Sequence, residues 1–347
     1  MENQEEELTT GKKDELFIGI DLGTSSSAIA ASNGKKSWVE SYVGWPKDFI
    51  AEKVIKKSVL LGTEAFKHRL SLDIYRPLER GVIKEGTEKE VQAVKELIHH
   101  LIKLTQPGKD QKILAIVGVP AESLKVNKEA IMKSISDFVH AAMVVSEPFA
   151  VAYGLGLLDN AMIVDIGAGT VDFCIMHGTI PQEEDQKAII TAGDYVDQQL
   201  YNLLKEKFPG SMFNQNMVRI FKEQNSFVGN SVDHVKVEIP VEGKPVVHDI
   251  TGEMKRACES IMPPMVETIM EMIARTDPEF QKTIRNNIVL AGCGSQIRGI
   301  SDYIKDALKS FGSCQVSTVE DPLFAGANGS LALAQEMPKK YWKKLNK

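Results

Sequence analysis

Two stretches of this chain repeat one pattern of apolar and polar positions. Residues 18–34 read IGIDLGTSSSAIAASNG and residues 162–178 read MIVDIGAGTVDFCIMHG. They align without gaps, so that Asp21 meets Asp165, Gly23 meets Gly167, Ser26 meets Thr170 and Gly34 meets Gly178. Each stretch predicts an apolar strand, an Asp-x-Gly turn, a second apolar strand and a glycine turn. A third strand is expected after each, around Trp38–Val43 and around Ala188–Ala192. The two copies lie too far apart for a solenoid repeat, and they predict two similarly folded lobes. Each lobe would offer one tight turn, with a single ligand between them.

The rest of the pattern alternates helix and strand. Val91, Val94, Ile98, Leu101 and Ile102 recur at helical spacing over residues 88–104. KILAIVGVP, Lys112–Pro120, predicts a buried strand, and Ala141–Val145 a shorter one. Glu147-Pro148 then opens a helix, with proline suited to a first turn. Ile288–Ala291 predicts a strand, followed by a Gly292–Ser295 turn and a helix. Interleaving of this kind defines the α/β class: two related α/β lobes around a cleft, each with a smaller inserted subdomain. The boundaries expected are 14–32 with 81–154 for the first core lobe and 155–195 with 253–330 for the second. The less regular segments 33–80 and 196–252 would be the insertions. Residues 1–13 predict a flexible tail. Residues 331–347 predict a C-terminal helix with a basic end, packed on the first lobe. That helix reads as a solvated terminal element, since two aromatics among lysines give little support for a membrane anchor.

Composition narrows the function classes. With 43% hydrophobic residues among 347, the chain can bury substantial cores. A net charge of -6 offers no electrostatic footprint for nucleic acid. The acidic first residues, MENQEEELTTGKK, lack an apolar signal region, and no apolar run is long enough to cross a bilayer. Cys174, Cys258, Cys293 and Cys314 form no C-x-x-C pair, as expected of reduced thiols in a cytoplasmic protein.

The chemistry concentrates in the repeated turns. Phosphates need backbone N–H donors at close range, and glycine permits that approach. Gly23, Thr24 and Ser25 predict one cradle; Gly167, Ala168, Gly169 and Thr170 predict the opposing one. Either loop alone reads equally well as an ordinary hairpin turn, whereas the matched pair points to a shared ligand. Asp21 and Asp165 end equivalent strands, and two carboxylates beside a triphosphate suit Mg²⁺ bound largely through water. Capping of the turn accounts for one such aspartate, but not for both. Glu147, at a helix start after a buried strand, is the candidate for orienting an attacking water, with helix capping as the competing role. Asp172 follows the second loop and would assist. Gly292, Gly294, Ser295 and Gln296 join a strand to a helix whose exposed N–H groups could cover part of a nucleotide. Lys222 and Glu223 read either as contacts to ribose hydroxyls or as a solvated helical pair. His99, His100, His140 and His177 show no metal-ligand spacing, and no Ser-His-Asp arrangement stands out.

These motifs resemble a known superfamily. DLGTSSS at 21–27 and DIGAGTVD at 165–172 resemble the two phosphate loops of the actin, Hsp70 and sugar-kinase ATPases. SEPFAVAYG at 146–154 resembles the segment that carries the water-positioning residue, a glutamate in bacterial actins. AGCGSQIRG at 291–299 resembles the adenosine motif, and AGDYVDQQL at 192–200 and KEQNSFVG at 222–229 resemble segments near the ribose. The match runs from about Leu16 to Leu333. GWPKDFI, AIVGVPAES, VSEPFAVAYGL and MPKKYWKKL narrow it to the magnetosome-associated bacterial actins.

The resemblance implies an actin-like ATPase fold, with the lobes as subdomains IA and IIA and the insertions as IB and IIB. It implies ATP and ADP as ligands with Mg²⁺ between Asp21 and Asp165. Glu147 and Asp165 would support hydrolysis, and Gly193, Asp194, Lys222 and Glu223 would lie on the ribose side. It further implies cytoplasmic homopolymer filaments that turn over with hydrolysis and align magnetosomes through adaptor proteins. Cys293 stands where the adenosine motif often has glycine, and Ala168 where eukaryotic actin has an acidic residue. Cell-shape actins of the MreB type are the alternative. Their membrane contacts have no counterpart in the polar loop TQPGKDQK or the acidic N-terminus, so no direct membrane insertion is expected. A small-molecule kinase of the same superfamily is a further alternative, although no second-substrate signature is present.

Overall fold

The computed structural model describes residues 14–84, 87–121, 124–230 and 234–345, without the side chains of 124–127. The tail expected over residues 1–13 lies outside the described residues. The chain forms two compact units. One takes the chain to Leu158 and again from Leu323, and the other is Asp159–Pro322.

In the first unit β1 (Glu15–Leu22), β2 (Ser26–Ala31) and β3 (Lys36–Glu40) form an antiparallel meander. A small three-stranded antiparallel sheet follows: β4 (Val43–Pro46), β5 (Leu60–Leu61) and β6 (Leu72–Tyr75), with helices α1 (Phe49–Ile55) and α2 (Gly62–Lys67) between its strands. Asp48 caps α1, its carboxylate accepting from the N–H groups of Ile50 and Ala51. A hairpin of β7 (Leu78–Glu79) and β8 (Val82–Ile83) leads to α3 (Glu88–Leu104), whose bounds match the predicted helix. Then come β9 (Lys112–Val119), α4 (Leu124–Ile135), β10 (Ala141–Ser146) and α5 (Glu147–Leu155). The main sheet has the order β10-β9-β1-β2-β3, with β9 parallel to both β1 and β10.

The second unit repeats that plan. It contains β11 (Asp159–Ile166), β12 (Val171–His177), β13 (Gln186–Ile189), α6 (Gly193–Lys207), α7 (Gln215–Asn225) and a hairpin of β14 (Lys236–Val241) and β15 (Lys244–Asp249). It ends with α8 (Thr251–Glu259), α9 (Met262–Arg275), α10 (Pro278–Arg285), β16 (Ile288–Ala291), α11 (Ile300–Leu308) and β17 (Val316–Thr318). Its main sheet runs β13-β12-β11-β16-β17, the order of the first sheet read element for element. Gly34 and Gly178, paired by the sequence repeat, both adopt left-handed backbone, with φ of 82° and 79°. The chain then returns to the first unit with α12 (Ala325–Glu336) and α13 (Lys339–Leu345).

Three boundaries differ from expectation. The third strand of the first meander ends at Glu40, because Tyr42 N–H bonds back to the Glu40 carbonyl at 2.7 Å and turns the chain. The third strand of the second ends at Ile189, and Ala192 is the residue from which α6 starts. The C-terminal helix begins earlier, at Ala325, and Pro338 separates it from α13.

The strand period sorts β1 into two faces. Leu16, Ile18, Ile20 and Leu22 enter a core with Val94, Leu97, Ile98 and Leu101 of α3. The alternate residues face the C-terminal helices. Phe17 meets Trp342 at 6.4 Å between ring centroids, a Cβ on Gly19 would stand 2.2 Å from the Ala327 carbonyl oxygen, and one on Gly326 would stand 2.6 Å from Asp21 Oδ2. Helix α12 thus lies on a surface of small residues, with Ala327 packed on Ala28 and Ala30. It also crosses α5 so closely that a Cβ on Gly329 would fall 1.8 Å from the Ala150 carbonyl oxygen. Gly329→Ala should therefore lower stability by about 1–3 kcal/mol through overpacking. An unchanged thermal midpoint in the nucleotide-free protein would show that the two helices can part without cost.

Candidate functional site

The hairpin tip Gly23–Ser25 joins β1 to β2, and its backbone is tied on one side. Ser41 Oγ donates to the Gly23 carbonyl at 2.8 Å, and Ser41 N–H donates to the Ser25 carbonyl at 2.8 Å. Arg76 Nη2 donates to the Thr24 carbonyl between them at 3.3 Å. Gly81 N–H donates to Thr24 Oγ1 at 3.3 Å. Ser27 Oγ lies 2.9 Å from Ser41 Oγ, and both serines are buried. Asp21, at the end of β1, is half-buried against Gly326. Burial pushes its carboxyl up to about 7. Glu147 is the first residue of α5 and is 8% exposed. Its Cγ stands 3.5 Å from where a Cβ on Gly118 of β9 would be, which brings it against the strand that neighbours β1.

In the second unit the equivalent tip closes with Gly167 N–H donating to the Thr170 carbonyl at 2.9 Å. The start of α6 ties its carbonyls. Gly193 N–H donates to the Gly167 carbonyl at 3.1 Å, and Asp194 N–H to the Ala168 carbonyl at 2.7 Å. Gly169 and Thr170 are buried in the tip. Asp165 and Asp172 are cross-strand partners on β11 and β12, 7% and 1% exposed. This register places two carboxylates side by side at the loop end of the hairpin. Gly292 holds a left-handed backbone with φ of 69°, and a Cβ there would fall 2.3 Å from Asp165 Oδ1. A Cβ on Gly294 would fall 2.3 Å from Ile166 Cγ2. Glycine is thus required for the 3₁₀ turn Cys293–Gln296 to lie against the end of β11. Ser295 Oγ donates to the Gly292 carbonyl at 2.7 Å and closes that turn, while Cys293 is exposed.

Lys222 of α7 turns inward. Its Nζ bonds the Gly193 carbonyl at 2.8 Å and pairs with Asp197 at 2.9 Å, with both side chains mostly buried. Burial raises the Asp197 carboxyl to about 6, against the opposing pull of Lys222. Glu223, one residue on, is exposed and sits 3.8 Å from Arg219. The structure therefore joins Lys222, Gly193 and the second loop in one cluster, with Glu223 on the outer side of the same helix. Ser27, Ser41, Arg76 and Asp197 escaped the sequence reading. Ser27 and Asp197 sit inside motifs already quoted without being singled out, whereas Ser41 and Arg76 belong to no motif and are tied to the first loop by tertiary contact alone.

The first unit therefore collects Asp21, Gly23, Thr24, Ser25 and Glu147. The second collects Asp165, Gly167, Ala168, Gly169, Thr170, Asp172, Gly193, Asp194, Lys222, Gly292, Gly294, Ser295 and Gln296. Among the described residues no cluster of three or more His, Cys, Asp or Glu could hold a metal ion by itself. The facing carboxylates Asp165 and Asp172 suit Mg²⁺, which takes few protein ligands and completes its shell with water and phosphate. No helix among the described residues is long and apolar enough to cross a membrane.

A family profile for MreB/Mbl protein matches residues 15–341. The chain belongs to the MreB/Mbl family. It is 44% identical over 333 residues to the actin-like protein MamK of Paramagnetospirillum magneticum strain AMB-1, covering 96% of each chain. It also superimposes on a chain of a MamK double helical filament with a TM-score of 0.91 at 44% identity, covering 93% of this chain and 100% of that one. A non-polymerising MamK mutant bound to AMPPNP matches with a TM-score of 0.73 at 44% identity, covering 93% of this chain and 99% of the other. The actin-like ATPase fold expected from the motifs is therefore the fold of this chain.

Asp197→Ala would leave Lys222 buried without its counter-charge and should cost about 3–5 kcal/mol in urea unfolding. Adding Lys222→Met should recover much of that loss, and no recovery would mean that the pair is not the cause. A second expectation concerns pH. Burial raises the Asp21 carboxyl from 3.8 to about 7 in the folded chain, so the stability it contributes is complete below pH 3.8 and lost as pH rises through 7. The stability of nucleotide-free Asp21→Asn relative to wild type should rise between pH 5 and pH 8. A constant difference across that range would remove the desolvated carboxyl as the cause.

Proposed function

We propose that this chain is an actin-like ATPase that assembles with ATP into homopolymer filaments, and that hydrolysis of ATP to ADP and phosphate drives their turnover. The observation that carries this reading is the pair of equivalent hairpin tips, each with its carbonyls tied back and each beside an aspartate, half-buried Asp21 at the first and buried Asp165 at the second. Backbone N–H groups at such tips suit phosphate oxygens. The family match, the filament-forming neighbour and the AMPPNP-bound neighbour support it further.

In this reading Gly23, Thr24 and Ser25 contact the phosphates from one loop, and Gly167, Ala168, Gly169 and Thr170 from the other. Gly193, Asp194 and Lys222 line the ribose side, with Glu223 at its edge. Gly292, Gly294, Ser295 and Gln296 cover the adenosine. Asp21 and Asp165, with Asp172 opposite, would hold Mg²⁺ through its waters. Bound there, the ion would neutralise negative charge on the phosphates. Glu147 orients the attacking water. A buried carboxylate at that position needs only to accept a hydrogen bond from the water, because phosphoryl transfer depends chiefly on positioning and charge stabilisation.

Self-association has a surface to draw on. Helix α1 exposes Phe49, Ile50 and Val54 at 75%, 53% and 69%, an apolar face that suits contact with another copy. Kinship with magnetosome-system actins supports a cytoplasmic filament that aligns magnetosomes through adaptor proteins.

Sedimentation and phosphate release with Mg-ATP, for wild type and Glu147→Ala, test the reading together. Wild type should pellet and release phosphate. The variant should still pellet while hydrolysing on the order of a hundredfold more slowly. Wild type that binds ATP but stays soluble at every concentration would sink the filament reading and favour a small-molecule kinase.

A further inference from the structure

The first loop is held by residues that the nucleotide reading does not use. Its three successive carbonyls, those of Gly23, Thr24 and Ser25, all accept hydrogen bonds from the segment between β3 and β7. Ser41 supplies two of the donors, its hydroxyl and its own N–H, and Arg76 supplies the third. Ser41 is fully buried, and Ser27 Oγ at 2.9 Å fixes its rotamer further.

We infer that Ser41 and Arg76 are positioning residues that preorganise the first loop for phosphate; this rests on the nucleotide reading above. In a planar trans peptide the C=O of one residue and the N–H of the next point in opposite directions. Drawing the Gly23 carbonyl toward Ser41 therefore turns the Thr24 N–H away from that segment. Drawing the Thr24 carbonyl toward Arg76 does the same for the Ser25 N–H, and the Ser25 tie does so for Ser26. The Thr24 side chain follows the same logic. Its Oγ1 accepts from Gly81 N–H, so its single proton is left to donate elsewhere. The guanidinium of Arg76 adds a permanent positive charge within 3.3 Å of the loop backbone, which favours an anion on it. A loop whose dipoles are aligned before binding loses little reorganisation energy when phosphate arrives.

A structural role alone would weaken every ligand equally, whereas a loop-orienting role acts only on ligands that carry phosphate. The test is titration calorimetry of adenosine, ADP and a non-hydrolysable ATP analogue with wild type, Ser41→Ala, Arg76→Met and Arg76→Lys. Ser41→Ala and Arg76→Met should each weaken ADP and the ATP analogue about tenfold, the equivalent of one good hydrogen bond. Adenosine affinity should stay within about twofold of wild type, and Arg76→Lys, which keeps a charged donor, should recover most of the loss. Equal losses for adenosine and ADP, or ADP binding unchanged in both variants, would overturn the assignment. Should Ser41→Ala fail to fold, the Arg76 pair decides alone. Failure of wild type to bind ATP would instead remove the nucleotide reading on which the assignment rests.

Discussion

A hairpin tip that is to hold an anion must present N–H groups, and every peptide that presents its N–H must put its carbonyl somewhere. Both loops of this protein meet that demand inside the fold. The first sends its carbonyls to Ser41 and Arg76, and the second sends them to the amides that open α6. Buried carbonyls without partners would cost free energy of the order of a lost hydrogen bond each. The segments that receive them are therefore as much a part of the site as the loops. Ser41, Arg76 and the start of α6 thus do the same work for the two loops although their sequences differ.

The same tips stand beside carboxylates. Asp165 and Asp172 face each other across a strand pair, and the Asp21 carboxyl is desolvated against Gly326. In the proposed nucleotide reading these are the carboxylates that would stand nearest a bound cation. Lys222 and Asp197 illustrate the opposite case, a buried pair whose members neutralise one another and fasten α7 to the entry of α6.

Glycine sets the distances. Helix α12 approaches β1 and α5 where Gly19, Gly154 and Gly329 leave no room for a Cβ, and the turn after β16 approaches β11 through Gly292 and Gly294. Two further approaches reach an aspartate itself, Gly326 of α12 at Asp21 and Gly292 at Asp165. The C-terminal residues, though distant in sequence, thereby support the first loop from behind.

Much of this was open to the sequence by itself. The gap-free repeat of 18–34 on 162–178 pointed to two similarly folded units, each opening on a strand, an aspartate–glycine turn and a second strand, while the five-strand order they share is a property of the tertiary structure. Helical periodicity determined α3 to the residue, and the glycine-rich turns marked both loops. Tertiary structure alone decided what the loops lean on. Ser41 and Arg76 are common polar residues outside any periodic pattern, and Arg76 lies 52 residues from the carbonyl it meets. It also decided that Lys222 turns inward while Glu223 faces solvent. Local sequence encodes the direction of the backbone, through strand period and turn chemistry. Which distant donor meets which carbonyl depends on packing, and packing has no signature in any single segment.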